Sequence, residues 1–188
     1  MKIEELEING VFEITLNPIK DERGFFMRVL DDNLFNQFGF NYKWVQENHS
    51  SNTRKGIVRG LHFQFPPYTE TKLVRAIKGE IFDVFVDLRI GSSTFGEWGS
   101  VVLSDKKYNC ILIPRGFAHG FYTLSEESEI IYKVDNFYSR EKESGILWDD
   151  SDIGIKWPLD RKAILSERDQ KHDDYKTFLK KNKGICKY

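Results

Sequence analysis

Four short segments hold the side chains of this sequence that are best suited to chemistry. They are Arg59-Gly60-Leu61-His62-Phe63-Gln64, Lys72-Leu73-Val74-Arg75, the stretch 113–121 with Arg115 and His119, and Ile130-Ile131-Tyr132-Lys133. An imidazole moves protons near neutral pH or ligates a metal. A phenol donates a proton, and an ammonium stabilises developing negative charge. All four segments read as β-strand, where neighbouring side chains point to opposite faces. That alternation puts His62, Gln64 and Gly60 on one face and Arg59, Leu61 and Phe63 on the other. A lone strand histidine is commonly just a hydrogen-bonded structural residue. The polar groups around His62 favour a chemical role, as does a phenol in the otherwise apolar run Ile130-Ile131-Tyr132.

The elements that must position these groups are mostly strands. Apolar alternation and turn residues predict them at 11–16, 25–30, 44–48, 57–64, 71–77, 80–89, 98–103, 109–113, 120–124 and 129–137, with a turn at Lys78-Gly79-Glu80. Asp31-Asp32-Asn33 offers caps for a short helix carrying Leu34, Phe35 and Phe38, which Gly39 ends. Beyond Trp157-Pro158 a helix is expected from Ser166 to about Asn182, with Tyr175, Phe178 and Leu179 at helical spacing. Strands spaced at roughly ten residues predict a sandwich or barrel. In the strand at 80–89, Phe82, Val84, Val86 and Leu88 share one face, and Ile81, Asp83, Phe85 and Asp87 the other. A charge on an apolar face needs a partner. Two readings follow: Asp87 caps a turn and Asp83 pairs with a Lys or Arg, or Asp83 lies inside a polar cavity.

Composition narrows the class. At 188 residues and 22.1 kDa the chain suits a single domain, with a β core over about 10–160 and a helical extension over about 161–188. Apolar residues are 40% and charged residues 30%, a globular balance. The net charge of −1 gives no general attraction to nucleic acid or anionic membrane. No apolar run has the length of a membrane span. The start Met1-Lys2-Ile3-Glu4-Glu5 is unlike a secretion signal, so a cytoplasmic location is expected. Cys110 and Cys186 make no disulfide framework, which fits a reducing compartment. Aromatic residues at 14% favour strands and supply surfaces for stacking on flat ligands.

Pro114-Arg115-Gly116-Phe117-Ala118-His119 fits P-x-G-x-x-H, the second half of the cupin pattern. The first half, H-x-H followed by Glu, is only partly matched by His62-x-Gln64 and Glu70, leaving a metal set of His62, Gln64, Glu70 and His119 as one alternative. The order of motifs is more specific. Gly24-Phe25-Phe26, Gln46-Glu47-Asn48-His49-Ser50, Arg59 to Gln64, Lys72 to Arg75, Asp83 to Asp87, Thr94-Phe95-Gly96-Glu97-Trp98, Pro114 to Phe121 and Ile155-Lys156-Trp157-Pro158 follow one another. This series resembles the dTDP-4-dehydrorhamnose 3,5-epimerase family over about residues 10–170.

The resemblance implies an all-β, cupin-type jelly-roll barrel with short peripheral helices and a C-terminal helix. It implies a homodimer without metal or other cofactor, acting on a nucleoside-diphosphate 4-keto-6-deoxy sugar. Inversion at C3, C5 or both would serve deoxysugar and surface-polysaccharide biosynthesis. By the same resemblance His62 is the base, Asp169 its orienting carboxylate, Tyr132 the acid and Lys72 the cation near the keto oxygen. Arg23 and Arg59 would meet the diphosphate, His119 the sugar and phosphate, and Phe26 and Tyr138 the base ring. Gln46, Glu47, Asn48, Glu143 and Arg168 match substrate-contacting positions. Two features depart from the family pattern. Arg28 stands where Gly-Phe-Phe-x-Glu would have Glu, and a guanidinium only donates hydrogen bonds, so a contact between residue 28 and the base would favour cytosine or guanine over thymine. The connection from Asn48 to Arg59 is one residue longer. The alternatives are a GDP-linked 4-keto heptose or CDP-linked sugar epimerase inverting one centre, a metal-dependent cupin oxygenase or isomerase, and a noncatalytic sugar-binding module.

Overall fold

The period-two segments fold into two facing antiparallel sheets in a computed structural model that describes residues 1–185. Cys186 therefore lies outside the described residues. In chain order the strands are β1 (Lys2–Glu5), β2 (Phe12–Thr15), β3 (Ile19–Asp21), β4 (Gly24–Phe26), β5 (Gln46–Asn52), β6 (Val58–Gln64) and β7 (Lys72–Lys78). They continue with β8 (Glu80–Asp87), β9 (Trp98–Ser104), β10 (Asn109–Ile113), β11 (Phe117–Thr123), β12 (Ser128–Val134) and β13 (Glu143–Gly145). Helix α1 (Asp32–Gln37) follows β4, and α2 (Tyr175–Asn182) comes late in the chain. One sheet has the order β1-β2-β10-β7-β12-β5 and the other β13-β6-β11-β8-β9, while β3 and β4 pair only with each other. This is the expected all-β jelly roll.

Two apolar layers explain the continuous hydrophobicity of β8. Ile81 and Phe85 face the six-stranded sheet and meet Val74, Ile111, Ile113 and Ile130. Val84 and Val86 point the other way, beneath Ile146, Ile153, Phe178 and Ile185 of the C-terminal segment. A strand buried on both faces loses the polar-out half of its alternation. Asp87 caps the turn after β8, accepting from the Arg89 amide (2.9 Å), Ser92 Oγ (2.6 Å) and Thr94 Oγ1 (2.7 Å) while Arg89 Nη2 pairs with it at 2.6 Å. Asp83 is fully buried, and its partner is His119 Nε2 at 2.9 Å rather than a Lys or Arg.

Several elements differ from expectation. The strand predicted over 25–30 ends at Phe26, because Met27, Val29 and Leu30 turn onto the apolar layer outside the six-stranded sheet. The helix expected from Ser166 is broken. Ser166 Oγ accepts from the Asp169 amide (3.1 Å) and caps only a 3-10 turn over Asp169–Lys171. Asp173 then bridges to Ile146, the residue just after β13, which pulls the chain out of helical register. Asp174 starts α2 afresh, accepting from the Thr177 amide at 2.7 Å. β1, β3 and β13 are too short to show a period of their own.

The pairing of β6 with β11 carries the site. His119 lies opposite His62, but Phe121 lies opposite Arg59, so β6 has one extra residue there. This bulge reverses the alternation, and Arg59 and His62 come to the same side instead of opposite ones. Gly60 makes it possible. Its φ is +130°, and an added Cβ would lie 2.6 Å from the Gly120 Cα and 2.9 Å from the His119 carbonyl oxygen. Gly60→Ala should therefore lower unfolding stability by at least about 2–3 kcal/mol in urea titration, from backbone strain and overpacking together. A variant within about 0.5 kcal/mol of the parent would contradict this account of the bulge.

Candidate active site

A cleft of about 520 Å³ opens between the two sheets. The five-stranded sheet contributes Arg59 and His62 from β6, His119 from β11 and Glu143 from β13. The six-stranded sheet contributes Lys72 from β7 and Tyr132 from β12. Arg168 and Asp169, from the capped turn, close one side. An adjoining recess of about 160 Å³ shares His62, Lys72, Tyr132 and Glu143 and adds Gln46, Asn48 and Tyr138. Sequence-predicted residues from distant segments thus meet in one place, with His62 and Tyr132 on opposite walls.

His62 Nε2 lies 2.7 Å from Asp169 Oδ1, and the Gly60 amide donates to Asp169 Oδ2 at 3.4 Å. Burial alone would raise the Asp169 carboxyl, but the imidazoles of His172 and His62 and the Gly60 amide outweigh it and hold it far below the usual range. An ionised acceptor keeps the proton of His62 on Nε2 and leaves Nδ1 with the free lone pair. Burial, with Lys72 and Arg168 nearby, lowers the His62 pKa below 6.5 against the opposing pull of Asp169. The neutral, proton-accepting form therefore prevails at neutral pH. Lys72 is 9% exposed, with Nζ 3.4 Å from Glu70. Deep in the site, burial pushes the Asp83 carboxyl up, and its bond to His119 opposes that.

The recess is held by a carboxylate hub. Glu143 accepts from Tyr138 Oη at 2.7 Å and pairs with Arg168 Nη2 at 2.5 Å. Gln46 Oε1 accepts from the Tyr138 amide at 2.7 Å, and Asn52 Oδ1 accepts from Arg59 Nε at 2.9 Å.

Four predicted residues lie outside this cleft in their own chain. Arg23 and Phe26 sit on the β3–β4 hairpin, with Phe26 67% exposed and Arg23 bound to Asp21 at 2.5 Å. Arg28 is exposed and pairs with Asp31 at 3.2 Å. Glu47 alternates with Gln46 and Asn48 along β5, so it points to the opposite face, where it pairs with Lys133. The alternative metal set does not converge. Gln64 Nε2 donates to the Tyr68 carbonyl oxygen (2.9 Å) and Glu70 Oε2 (2.9 Å), its Oε1 accepts from the Ser139 amide (2.6 Å), and His119 is engaged with Asp83. Sequence reasoning missed His172, whose Nε2 is 3.6 Å from Asp169 Oδ1. Its spacing of three from Asp169 was the available signal, hidden by the expectation of an uninterrupted helix.

The dTDP-4-dehydrorhamnose 3,5-epimerase family model matches residues 5–177. The chain is 45% identical to the dTDP-4-dehydrorhamnose 3,5-epimerase of Shigella flexneri over 183 residues, covering 95% of this chain and all of that one. The rmlC epimerase of Mycobacterium tuberculosis superposes with a TM-score of 0.95 at 35% identity, covering 99% of this chain and 94% of that one. The dTDP-6-deoxy-D-glucose-3,5-epimerase of Legionella pneumophila, solved with dTDP-4-keto-L-rhamnose, gives a TM-score of 0.88 at 38% identity and covers 92% of each chain.

The electrostatics of the dyad set a titration. His62 should titrate below 6.5 in imidazole NMR. Asp169→Asn should move it lower still, because Asp169 is what supports the charged form. An unchanged or raised midpoint in that variant would contradict the assigned coupling.

Proposed function

The chain belongs to the dTDP-4-dehydrorhamnose 3,5-epimerase family, and from that premise we propose that it inverts C3 and C5 of a dTDP-linked 4-keto-6-deoxy sugar through enolates, with His62 as base, Tyr132 as acid and Lys72 at the keto oxygen. A 4-keto group acidifies the hydrogens on both neighbouring carbons. His62 Nδ1 takes one of them, and the electron pair of the C–H bond moves into the enolate. The Lys72 ammonium meets the charge that develops on the oxygen. Tyr132 returns a proton to carbon from the other face, which inverts the centre. Solvent then reprotonates the phenolate and takes the proton from His62, and the cycle repeats at the second carbon. The observation that carries this reading is one cleft with an Asp-supported imidazole on one wall and a phenol on the other. Binding alone would need no such pair, and the convergence of acid, base and cation needs no metal.

Arg59 and Arg168 are the cations suited to the diphosphate, since a guanidinium fork matches phosphate oxygens, and His119 would meet the sugar and phosphate. Gln46, Asn48, Tyr138 and Glu143 would contact the rest of the substrate from the recess. Arg23 and Phe26 would act across a homodimer. In support, their hairpin pairs with neither main sheet and carries Ile19, Phe25 and Phe26 at 70%, 55% and 67% exposure. The reading includes a cytoplasmic enzyme of deoxysugar and surface-polysaccharide biosynthesis. Among the described residues no helix is long and apolar enough to cross a membrane.

The test is incubation with 4-keto-6-deoxy sugars on dTDP, GDP and CDP in deuterated water, with NMR reading exchange at C3 and C5. The dTDP sugar should exchange at both positions. His62→Ala should slow that exchange about 10²- to 10⁴-fold, as expected on losing a general base, and should leave binding nearly intact. Exchange at the parent rate in the variant would overturn the assignment. Turnover confined to GDP or CDP sugars would overturn the nucleotide.

A further inference from the structure

Beside the His62–Asp169 pair sits a second imidazole that the proposed reaction does not use. His172 follows the 3-10 turn in an extended conformation, and its ring packs so tightly over β13 that a Cβ on Gly145 would lie 2.5 Å from its Nε2. Its ring meets that of His62 edge to face, with centroids 5.5 Å apart and planes at 75°. Its Nε2 is buried and faces Asp169 Oδ1 at 3.6 Å, just beyond hydrogen-bond distance.

We propose that His62, Asp169 and His172 form a site for a divalent transition-metal cation of the zinc type, and that its occupation switches the enzyme off. Each residue offers a donor atom, and the three atoms all lie within 4.8 Å of one another. Among the described residues this is the one such group of His, Cys, Asp or Glu. Two imidazoles and a carboxylate are a known zinc donor set, with bonds of about 2.0–2.2 Å, so tetrahedral donors stand roughly 3.3 Å apart. Two of the three spacings bracket that value: 2.7 Å from His62 Nε2 to Asp169 Oδ1 and 3.6 Å from His172 Nε2 to the same oxygen. The third spacing, between the two imidazoles, is within 4.8 Å, so the rings close on one another by up to about 1.5 Å to seat the ion. His62 and Asp169 line the cleft, which leaves a fourth position for water or a ligand. Only His62 is shared with the cupin-pattern set, whose Gln64 and His119 are held by other partners.

Inhibition follows from the proton. Without the ion, Nε2 of His62 carries the proton toward Asp169. An ion bound at Nε2 needs that lone pair, so the proton moves to Nδ1 with no net gain or loss. Nδ1 then cannot accept a proton from carbon. This consequence rests on His62 being the base, whereas binding of the ion does not.

Calorimetry with zinc chloride on the intact protein is the test. One equivalent should bind with a micromolar constant, epimerisation should fall in step, and a chelator should restore it. His172→Asn should weaken binding at least tenfold and raise the zinc concentration for half-inhibition by the same factor. A second measurement needs no variant. On titration with Co²⁺, the imidazole signals of His62 and His172 should shift or broaden first, ahead of His49 and His119. No stoichiometric binding up to millimolar zinc, affinity unchanged in His172→Asn, or a first response at His49 or His119 would overturn the site. A filled site with undiminished epimerisation would overturn the switch.

Discussion

Between β6 and β11 two backbones pass so closely that a Cβ on Gly60 would lie 2.6 Å from the Gly120 Cα. Only glycine at both positions tolerates this, since a Cβ on Gly120 would in turn meet the Arg59 carbonyl oxygen at 2.7 Å. The bulge built there turns Arg59 to the side of His62 and sets the Gly60 amide against Asp169. One local constraint therefore fixes Arg59, His62 and the carboxylate that meets His62. Apolar layers on both faces of the five-stranded sheet hold that geometry rigid.

The division of labour between the sheets follows. Groups on β6 and β11 approach a ligand from one wall, and groups on β7 and β12 from the other. In the proposed reaction a flat enolate between them would have one face toward each wall. The electrostatics agree with this division. Asp169 stays ionised, which keeps the proton on Nε2, while burial and neighbouring cations keep His62 neutral. In the proposed reaction His62 is thus in its proton-accepting form before substrate arrives.

Much of this was legible in the sequence, for physical reasons. The fully buried apolar run of β10, bounded by turn residues, was placed to the residue. The short helix was marked by its Asp31 cap and by Gly39 at φ +79°. His62, Lys72, Tyr132 and Asp169 were singled out by a chain of motifs, and the fold brings them together. What escaped was non-local. The bulge at Gly60 depends on a partner strand about 60 residues away, so simple alternation put Arg59 on the wrong face. The bridge between Ile146 and Asp173 ends a helix that local spacing favoured, and it buries His172 beside the dyad. Glu47 shared a motif with Gln46 and Asn48, yet strand parity sends it to the far side.

The central claim is that facing walls supply the two proton transfers. Tyr132→Phe tests it most directly, because the ring is kept and only the phenolic proton is lost. Exchange and inversion would be compared at C3 and C5 by NMR of products formed in deuterated water. The account predicts that His62 still removes and returns protons on its own face. Deuterium would then enter while inversion stops or is confined to one centre. Inversion of both centres at the parent rate would contradict it.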